Sequence, residues 1–275
     1  MIVCGYEQHS LSMQLEIARR LGASHIELYP RWQTAPDAGE LGRQVRDAGV
    51  TVWSAHGPWG NETWGQGRVD LGSPELSLRR DSIRDVRRAT EWFAATGGRC
   101  LVVHPGVLSD AADFDRRRAA LRESLAELAP VAAERDVWLC VENLPRGSFP
   151  GSFTADNAAI VRELSASHVG LCLDTGHANI MADVASEARA AGALLRTTHV
   201  HDNDGQRDSH LLPGLGTVRW SDFPAVLSEI GYQGVIMLEC PRFLRDNPHL
   251  INDELRERLQ AICRGPAANC SSASF

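Results

Sequence analysis

Eight short runs of apolar and β-branched residues recur along the chain, separated by longer stretches of helical periodicity. The runs cover residues 2–7, 25–30, 51–56, 100–105, 137–143, 169–175, 198–203 and 235–240. Strands that are apolar at nearly every position are typical of parallel sheets covered by helices. The alternation therefore predicts an α/β fold.

The intervening stretches repeat apolar residues with the period of an amphipathic helix. Residues 10–22, 113–136 and 252–264 are of this kind. In residues 73–98, Pro74 predicts the start of a helix and the Gly97–Gly98 pair predicts its end. The arginines at 79–80, 87–88 and 116–118 fall within these stretches, so we expect them on solvated outer helix faces.

Two α/β architectures compete for such an alternation. A doubly wound sheet usually carries a glycine-rich first turn, and residues 5–10 (GYEQHS) do not form one. Eight alternations instead match a (β/α)8 barrel, which we predict as a single domain over residues 1–264. Residues 265–275 are small, polar and without pattern, and are predicted to be a flexible tail.

Composition excludes several classes of protein. No apolar stretch reaches the roughly 20 residues of a membrane span, and the first residues lack a signal-peptide pattern. The net charge of −7 makes nucleic acid an unfavourable partner. The seven cysteines have no paired short spacing, so Cys100, Cys140, Cys172 and Cys240 are predicted to be buried free thiols. We therefore expect a cytoplasmic protein with no membrane contact.

Residues of metal-ligand type stand where the predicted strands end. They are His56, His104, Glu142, Asp174, His199 and Glu239, with His177, Asp208 and His210 in the following loops. In a parallel barrel these ends meet at one mouth. Converging carboxylates and imidazoles repel one another or lose solvation unless a cation lies among them. Mixed ligands of this kind suit manganese, cobalt or zinc better than calcium, so the pattern predicts a divalent metal site.

Five motifs together carry a resemblance to a known family. HPG (104–106), ENLP (142–145), CLDTGHA (172–178), HVHDNDGQRDSHLLPGLGTVRW (199–220) and LEC (238–240) resemble the xylose-isomerase-like TIM-barrel superfamily, AP endonuclease family 2. That superfamily contains sugar isomerases and epimerases, inosose dehydratases and zinc-dependent apurinic-site endonucleases. The resemblance covers residues 2–264. It implies a barrel enzyme with a divalent cation.

The sugar isomerase and epimerase branch is the leading interpretation. By its pattern, one metal is held by Glu142, Asp174, His199 and Glu239, and the two glutamates are the catalytic acid and base. His177 resembles the residue that contacts substrate hydroxyls. The resemblance implies proton transfer through a metal-stabilised enediolate of a sugar, keto-sugar or polyol. A keto-polyol dehydratase shares the first step.

The nuclease branch remains an alternative. It uses three metals, and its pattern adds His56, His104, His177, Asp208 and His210 to the four ligands above. Such a multinuclear zinc site would suit a phosphodiesterase. One metal is the leading prediction and up to three remain open. A sugar- or metal-binding protein without activity, and a homo-oligomer, also remain open.

Other side chains are candidates for substrate contact. Trp59 and Trp64 follow the third predicted strand, where aromatic faces would stack on a sugar ring. The arginine that the epimerase pattern has six residues after His199 is Gly205 here, which leaves Arg207 as the candidate. Glu27 is expected to face the interior, contacting substrate or a ligand histidine, or to form a structural ion pair.

Five other residues have roles outside the metal site or at its edge. His201 is interpreted as structural, pointing toward the helices, and Asp202 as an outer partner of a ligand. His9 would line the mouth. Gly214 and Gly216 would let their loop fold tightly over the pocket.

Overall fold

Eight parallel strands form one sheet whose neighbours follow the order of the chain. The computed structural model describes residues 2–4, 10–64 and 67–264. The sheet order is β7-β6-β5-β4-β3-β2-β1-β8. The strands are β1 Ile2–Cys4, β2 His25–Leu28, β3 Thr51–His56, β4 Cys100–Val103, β5 Trp138–Glu142, β6 Val169–Asp174, β7 Leu195–His199 and β8 Met237–Leu238.

The two ends of the sheet are joined just beyond β7. The amide of Val200 donates to the carbonyl of Met237 at 2.6 Å, and the amide of Glu239 donates to the carbonyl of Val200 at 2.9 Å. Because all pairings are parallel, the carboxyl ends of the strands lie at the same end of the molecule. The side chains at these ends are therefore brought together.

Helices connect the strands along the outside. They are α1 Leu11–Leu21, α2 Ala38–Asp47, α3 Leu76–Ala94, α4 Phe114–Glu134, α5 Thr154–Leu164, α6 Thr175–Met181, α7 Val184–Ala191, α8 Phe223–Glu229, α9 Pro241–Asp246 and α10 Asp253–Arg264. The sequence predictions for α1, α4 and α10 are correct to within two residues. Within the described ranges, no helix is both long and apolar enough to cross a bilayer.

Two predicted elements differ from the structure by three residues or more at both ends. Helix α3 begins at Leu76, after a turn in which the Ser73 hydroxyl accepts from the Glu75 amide, and it ends at Ala94. Strand β7 is Leu195–His199 and not 198–203, because the backbone after Val200 leaves the sheet. Asp202 pairs there with Leu211, in an antiparallel bridge to the following loop.

Apolar side chains form two separate layers on the strands. Leu139, Val141 and Leu171 belong to the core between the sheet and the helices. Cys140 and Cys172, on the opposite face, pack inside the sheet with Cys100 and Val102. The prediction of buried free thiols is confirmed for Cys100, Cys140, Cys172 and Cys240.

The outer arginines behave as predicted with one exception. Arg79 pairs with Glu123 and Arg87 with Glu127, which links α3 to α4 at the surface. Arg117 is the exception, since it is buried and paired with Asp70. Residues 5–9 with His9, Cys270 and the predicted tail 265–275 lie outside the described residues.

Candidate metal centre

Four residues from four strands converge at the carboxyl end of the sheet. Glu142 ends β5, Asp174 ends β6, His199 ends β7 and Glu239 follows β8. One ligand atom from each lies within 4.8 Å of the others, and all four side chains are buried. We call these residues the strand-end cluster. They are the four that the family resemblance implies as ligands of one metal.

His199 lies among three carboxylates. Its Nδ1 is 3.0 Å from Oε1 of Glu142 and 3.2 Å from Oε2 of Glu239. Its Nε2 is 3.1 Å from Glu27, which also accepts a hydrogen bond from Ser54 at 2.6 Å. Glu27 is fully buried behind His199 and is not among the described residues that line the cavity, so it is placed to orient this candidate ligand.

The donor atoms of this cluster fit a divalent cation. Oε2 of Glu142 and Oε2 of Glu239 are buried and make no hydrogen bond within the described structure. Nε2 of His104 lies 3.2 Å from the Glu142 oxygen, and Nδ1 of His199 lies 3.2 Å from the Glu239 oxygen, but neither pair has the geometry of a hydrogen bond. Buried carboxylate oxygens of this kind are costly unless a cation satisfies them. Together with the mixed carboxylate and imidazole donors, they suit manganese, cobalt or zinc.

A second group joins the cluster through Glu142. Nε2 of His56 and Nε2 of His104 are 3.1 Å apart, and Nε2 of His104 is 3.2 Å from the Glu142 carboxylate. Two facing ring nitrogens have at most one hydrogen-bonding proton between them when both are neutral. His56, His104 and Glu142 therefore form another candidate metal group.

His201 is the centre of a third region, and the expectation that it points toward the helices was wrong. Residues two apart on a strand point to the same side, so His201 faces inward like His199. Its Nε2 is 3.1 Å from the Asp174 carboxylate, and its ring stacks on His210 at 4.0 Å. It forms candidate metal groups both with Asp174 and His177 and with His210 and Glu239.

Asp208 and Gly176 complete this region. Oδ2 of Asp208 is 3.3 Å from Nε2 of His177 and 3.2 Å from Nε2 of His210. Gly176 leaves room for His201, since a Cβ at this position would lie 1.9 Å from Cε1 of the His201 ring. The glycine of the DTGH segment is thus explained by close packing.

Asn143 fixes the backbone that presents Asp174 and His177. Its side chain accepts from the Asp174 amide at 2.8 Å and donates to the Asp174 carbonyl at 2.9 Å. The Asp174 carboxylate accepts from the His177 amide at 2.7 Å and so caps the N-terminus of α6. This cap and the Asn143 pair explain why the segments after β5 and β6 hold a fixed relative position.

The cluster separates the pKa values of its acids. Burial, together with the charges of Asp174 and Glu142, raises the pKa of Glu239 to about 8. For Glu142, burial raises the pKa, but His199 and His104 outweigh it and hold the pKa well below its usual range. Two carboxylates with opposite shifts are the arrangement expected for an acid and a base.

The pKa values of the imidazoles are also shifted in opposite directions. Burial lowers the pKa of His177 and His210, but the carboxylates around them outweigh burial and raise these pKa values to about 10 and about 9. Asp174 and Asp208 act on His177, and Asp208 and Glu239 act on His210. His56 differs because burial and the neighbouring His104 lower its pKa to about 4.

An open cavity of about 200 Å³ gives access to these groups. It is lined by Tyr29, His56, Trp59, His104, Glu142, Pro145, His177, Asp208, His210 and Glu239. The sequence analysis did not identify Tyr29, although it directly follows β2 and lies two residues after the inward-facing Glu27, a spacing that favours the same side. Its ring packs against that of His56, with the two centroids 4.7 Å apart and the planes tilted by 37°.

Three predicted contacts lie elsewhere. Trp64 packs against Trp32 at 4.5 Å, under the Arg88 guanidinium, and is not among the described residues that line the cavity. Arg207 is exposed and outside the same lining. Asp202 organises a loop instead, since its carboxylate accepts from the amides of Gly214 and Val218.

The parallel sheet and the strand-end cluster define a class of α/β proteins with a candidate metal site at the carboxyl ends of the strands. Within that class, the family model described as xylose isomerase-like TIM barrel matches residues 15–262. The chain belongs to this family.

Individual relatives include sugar epimerases. The chain is 31% identical over 202 residues to a D-psicose 3-epimerase of Ruminiclostridium cellulolyticum, covering 73% of this chain and 67% of that enzyme. Among solved structures, a D-tagatose 3-epimerase-like protein superposes with a TM-score of 0.79 at 22% identity, covering 95% of this chain and 98% of the other. A D-psicose 3-epimerase in the presence of D-fructose has a TM-score of 0.77 at 20% identity, covering 96% and 100%. The relatives support an isomerase or epimerase, and the solved structures support the fold.

Proposed function

We propose that the protein is a divalent-metal-dependent epimerase or isomerase of a sugar or keto-sugar, working by proton transfer through an enediolate. The observation that carries the proposal is the pair Glu142 and Glu239, which line one cavity with opposite pKa shifts. The family and its named epimerase relatives favour the same reaction class.

The strand-end cluster would hold the cation, with manganese, cobalt or zinc as candidates and one cation as the leading stoichiometry. When bound, such a cation polarises a carbonyl and disperses the negative charge of the adjacent oxygens. His201 stands next to Asp174 as a second candidate imidazole, and its Nδ1 is buried without a hydrogen bond in the described structure.

The two glutamates would divide the proton transfer. Glu142, whose pKa is held low, is ionised at neutral pH and would remove the proton from the carbon next to the carbonyl. Glu239 has the higher pKa of the two in the metal-free protein, so it would take up a proton from solvent and return it to the carbon. Delivery to the opposite face of the same carbon gives an epimer, and delivery to the neighbouring carbon gives an isomer.

The other cavity residues would bind and orient the substrate. The rings of Tyr29 and Trp59 offer faces for the apolar side of a sugar and exclude water. His177 and Asp208 offer hydrogen bonds to hydroxyl groups.

The fold that goes with this function is a closed, single-domain (β/α)8 barrel. The hydrogen bonds of Val200 to the carbonyl of Met237 and the amide of Glu239 support this closure.

Solvent exchange tests this function directly. The protein, loaded with Mn²⁺, Co²⁺ or Zn²⁺, would be incubated in D₂O with a panel of ketoses, and the products would be followed by NMR. We expect deuterium at the carbon next to the carbonyl, together with an epimer or isomer, and no exchange after chelation. Loss of water from the substrate would reassign the protein to the dehydratases. If no ketose exchanged with any of the three metals, the proposal would be wrong.

A multinuclear phosphodiesterase is the second candidate. It is favoured by the additional metal groups, His56 with His104 and Glu142, and Asp174 with His177 and His201. Against it, no arginine is present among the described residues that line the cavity, where a phosphate backbone would need cations. Three zinc ions per chain by elemental analysis, together with cleavage of an abasic duplex, would favour the nuclease.

A further inference from the structure

Arg117 lies at the meeting point of three loops that build the cavity. These loops follow β3, β4 and β5 and comprise residues 57–73, 104–110 and 143–153, of which 65 and 66 are outside the described residues. They carry Trp59, His104 and Pro145 of the cavity lining. Arg117 itself belongs to α4, on the outside of the sheet, and does not line the cavity.

One guanidinium contacts all three loops. Nη2 of Arg117 donates to Oδ1 of Asp70 in the β3 loop at 2.7 Å. Its Nε donates to the carbonyl of Phe149 in the β5 loop at 2.9 Å. In the β4 loop, Gly106 is so close that a Cβ there would lie 2.6 Å from Nη2.

Arg117 and Asp70 are both buried, so their ion pair strongly constrains the positions of the loops that it joins. The side chain of Arg117 is 7% exposed and that of Asp70 is 1% exposed, so neither charge is well solvated without the other. A guanidinium has a planar fork of donors, and its two hydrogen bonds to different loops fix both distance and angle.

Glycines occur where the three loops pack together. A Cβ at Gly72 would lie 2.9 Å from the carbonyl of Pro105, and a Cβ at Gly151 would lie 2.5 Å from Cγ of Pro105. With Gly106, each loop thus contributes one glycine to this junction. The junction is close-packed around the HPG segment, whose first residue is His104 of the site.

We propose that Arg117 is a positioning residue that holds the β3, β4 and β5 loops in one arrangement and thereby sets substrate affinity at the cavity. Arg117 touches none of the reacting groups. The statement about the loops stands by itself, and the statement about substrate affinity rests on the proposed function.

Hydrogen exchange tests the loop arrangement without any substrate. Arg117→Gln would be compared with Arg118→Gln, a matched control on the same helix whose side chain pairs with Glu163 at the surface. We expect exchange about tenfold faster or more in all three loops of Arg117→Gln, with the strands unchanged, and no change in the control. A change confined to the β3 loop, or one spread evenly over the strands, would overturn the proposal.

Asp70→Asn is the second variant, because it keeps the shape of the side chain and removes only the charge. If Arg117→Gln fails to fold, this variant decides the question with the same exchange measurement. The double variant should show no further increase in loop exchange, since both substitutions break one junction.

Kinetics on the ketose identified by solvent exchange tests the second statement. For Arg117→Gln we expect KM to rise about tenfold with kcat within about threefold, because loop displacement weakens substrate positioning. Cation affinity at the strand-end cluster should be unchanged. Mobile loops with an unaltered KM would overturn the role in affinity. If the wild type acts on no ketose, the proposed function fails while the exchange result still decides the loop arrangement.

Discussion

The face of the sheet that is turned away from the helices carries two layers of side chains, one of thiols and one of carboxylates. Both layers are buried, but only the carboxylates are charged. On β5, Cys140 is followed two residues later by Glu142, and on β6, Cys172 is followed by Asp174. All four side chains are buried. Burial raises the pKa of the two thiols well above their usual value and keeps them neutral. The carboxylates directly above have lowered pKa values and are ionised.

The neighbours of each layer explain this difference. The thiols pack with Cys100, Val102 and the rings of Trp53 and Trp138, and their burial outweighs the attraction of Arg196 for Cys140 and of His199 for Cys172. Burial raises the pKa of Glu142 and Asp174 as well, but His199 next to Glu142 and His177 next to Asp174 outweigh it. Burial at the strand ends is therefore compatible with charge only because imidazoles converge there, and the same charges are what a cation requires.

Replacing members of the two layers on one strand is the most direct test and should have the largest effect. Glu142→Gln removes a buried carboxylate oxygen from the cluster, so we expect cation affinity to fall by about 100-fold or more. Cys140→Ser, two residues earlier, is the matched control and should leave affinity unchanged. Isothermal titration with Mn²⁺, Co²⁺ and Zn²⁺ measures both. Equal losses in the two variants would refute the separation of the layers.

Glu239→Gln should affect turnover more than metal binding. The amide cannot donate or accept the transferred proton, so we expect kcat on the active ketose to fall by about 10²–10⁴-fold at saturating cation. The measurement is initial rates with metal content determined in parallel. Full turnover with metal retained would contradict the acid and base role of Glu239.

Cation affinity should rise with pH. In the metal-free protein the neighbouring carboxylates outweigh burial and raise the pKa of His199 well above 6.5, and Glu239 has a pKa of about 8. Both groups therefore hold a proton at pH 7, and a cation must displace these protons. We expect release of ~2 protons per cation at pH 7 and tighter binding as pH rises through about 8.

Titration calorimetry in buffers of different ionisation enthalpy measures this release. Glu142→Gln serves as the comparison, since it lowers affinity without removing either titrating group. Affinity that did not change between pH 6 and pH 9 would contradict the proton displacement.

The smallest effect is expected in the thiol layer. Cys172→Ala leaves a small cavity in the interior and should lower the free energy of unfolding by about 1–2 kcal/mol. Cation affinity and turnover should remain within about twofold of wild type. Chemical denaturation and initial rates are the measurements. A large loss of activity at unchanged stability would show that the two layers are coupled.

Much of the candidate site was predictable, because polar residues at the ends of apolar strands are visible in the sequence. Glu142, Asp174, His199 and Glu239 were found in this way. His201 was misassigned although its spacing from His199 contains the answer, since residues two apart share a face. Tyr29 follows from the same spacing relative to Glu27.

Other contacts could not be predicted from the spacing of residues in the sequence. Glu27 and His199 are 172 residues apart in the chain and meet only because β2 and β7 lie across the interior from each other. Trp59 and Trp64 lie in one loop, yet only Trp59 lines the cavity, since Trp64 turns outward to Trp32. The burial of Arg117 in a run of three arginines depends on Asp70, which lies in a distant loop.

The linear order of residues determined the alternation of strands and helices, the burial of the thiols and the set of ligand candidates at the strand ends, because local structure depends on the spacing of neighbouring residues. The tertiary structure decided which imidazoles face which carboxylates, which loops share one guanidinium and which aromatic ring lines the cavity. These depend on distances between segments far apart in the chain, and such distances exist only once the sheet brings the strand ends together.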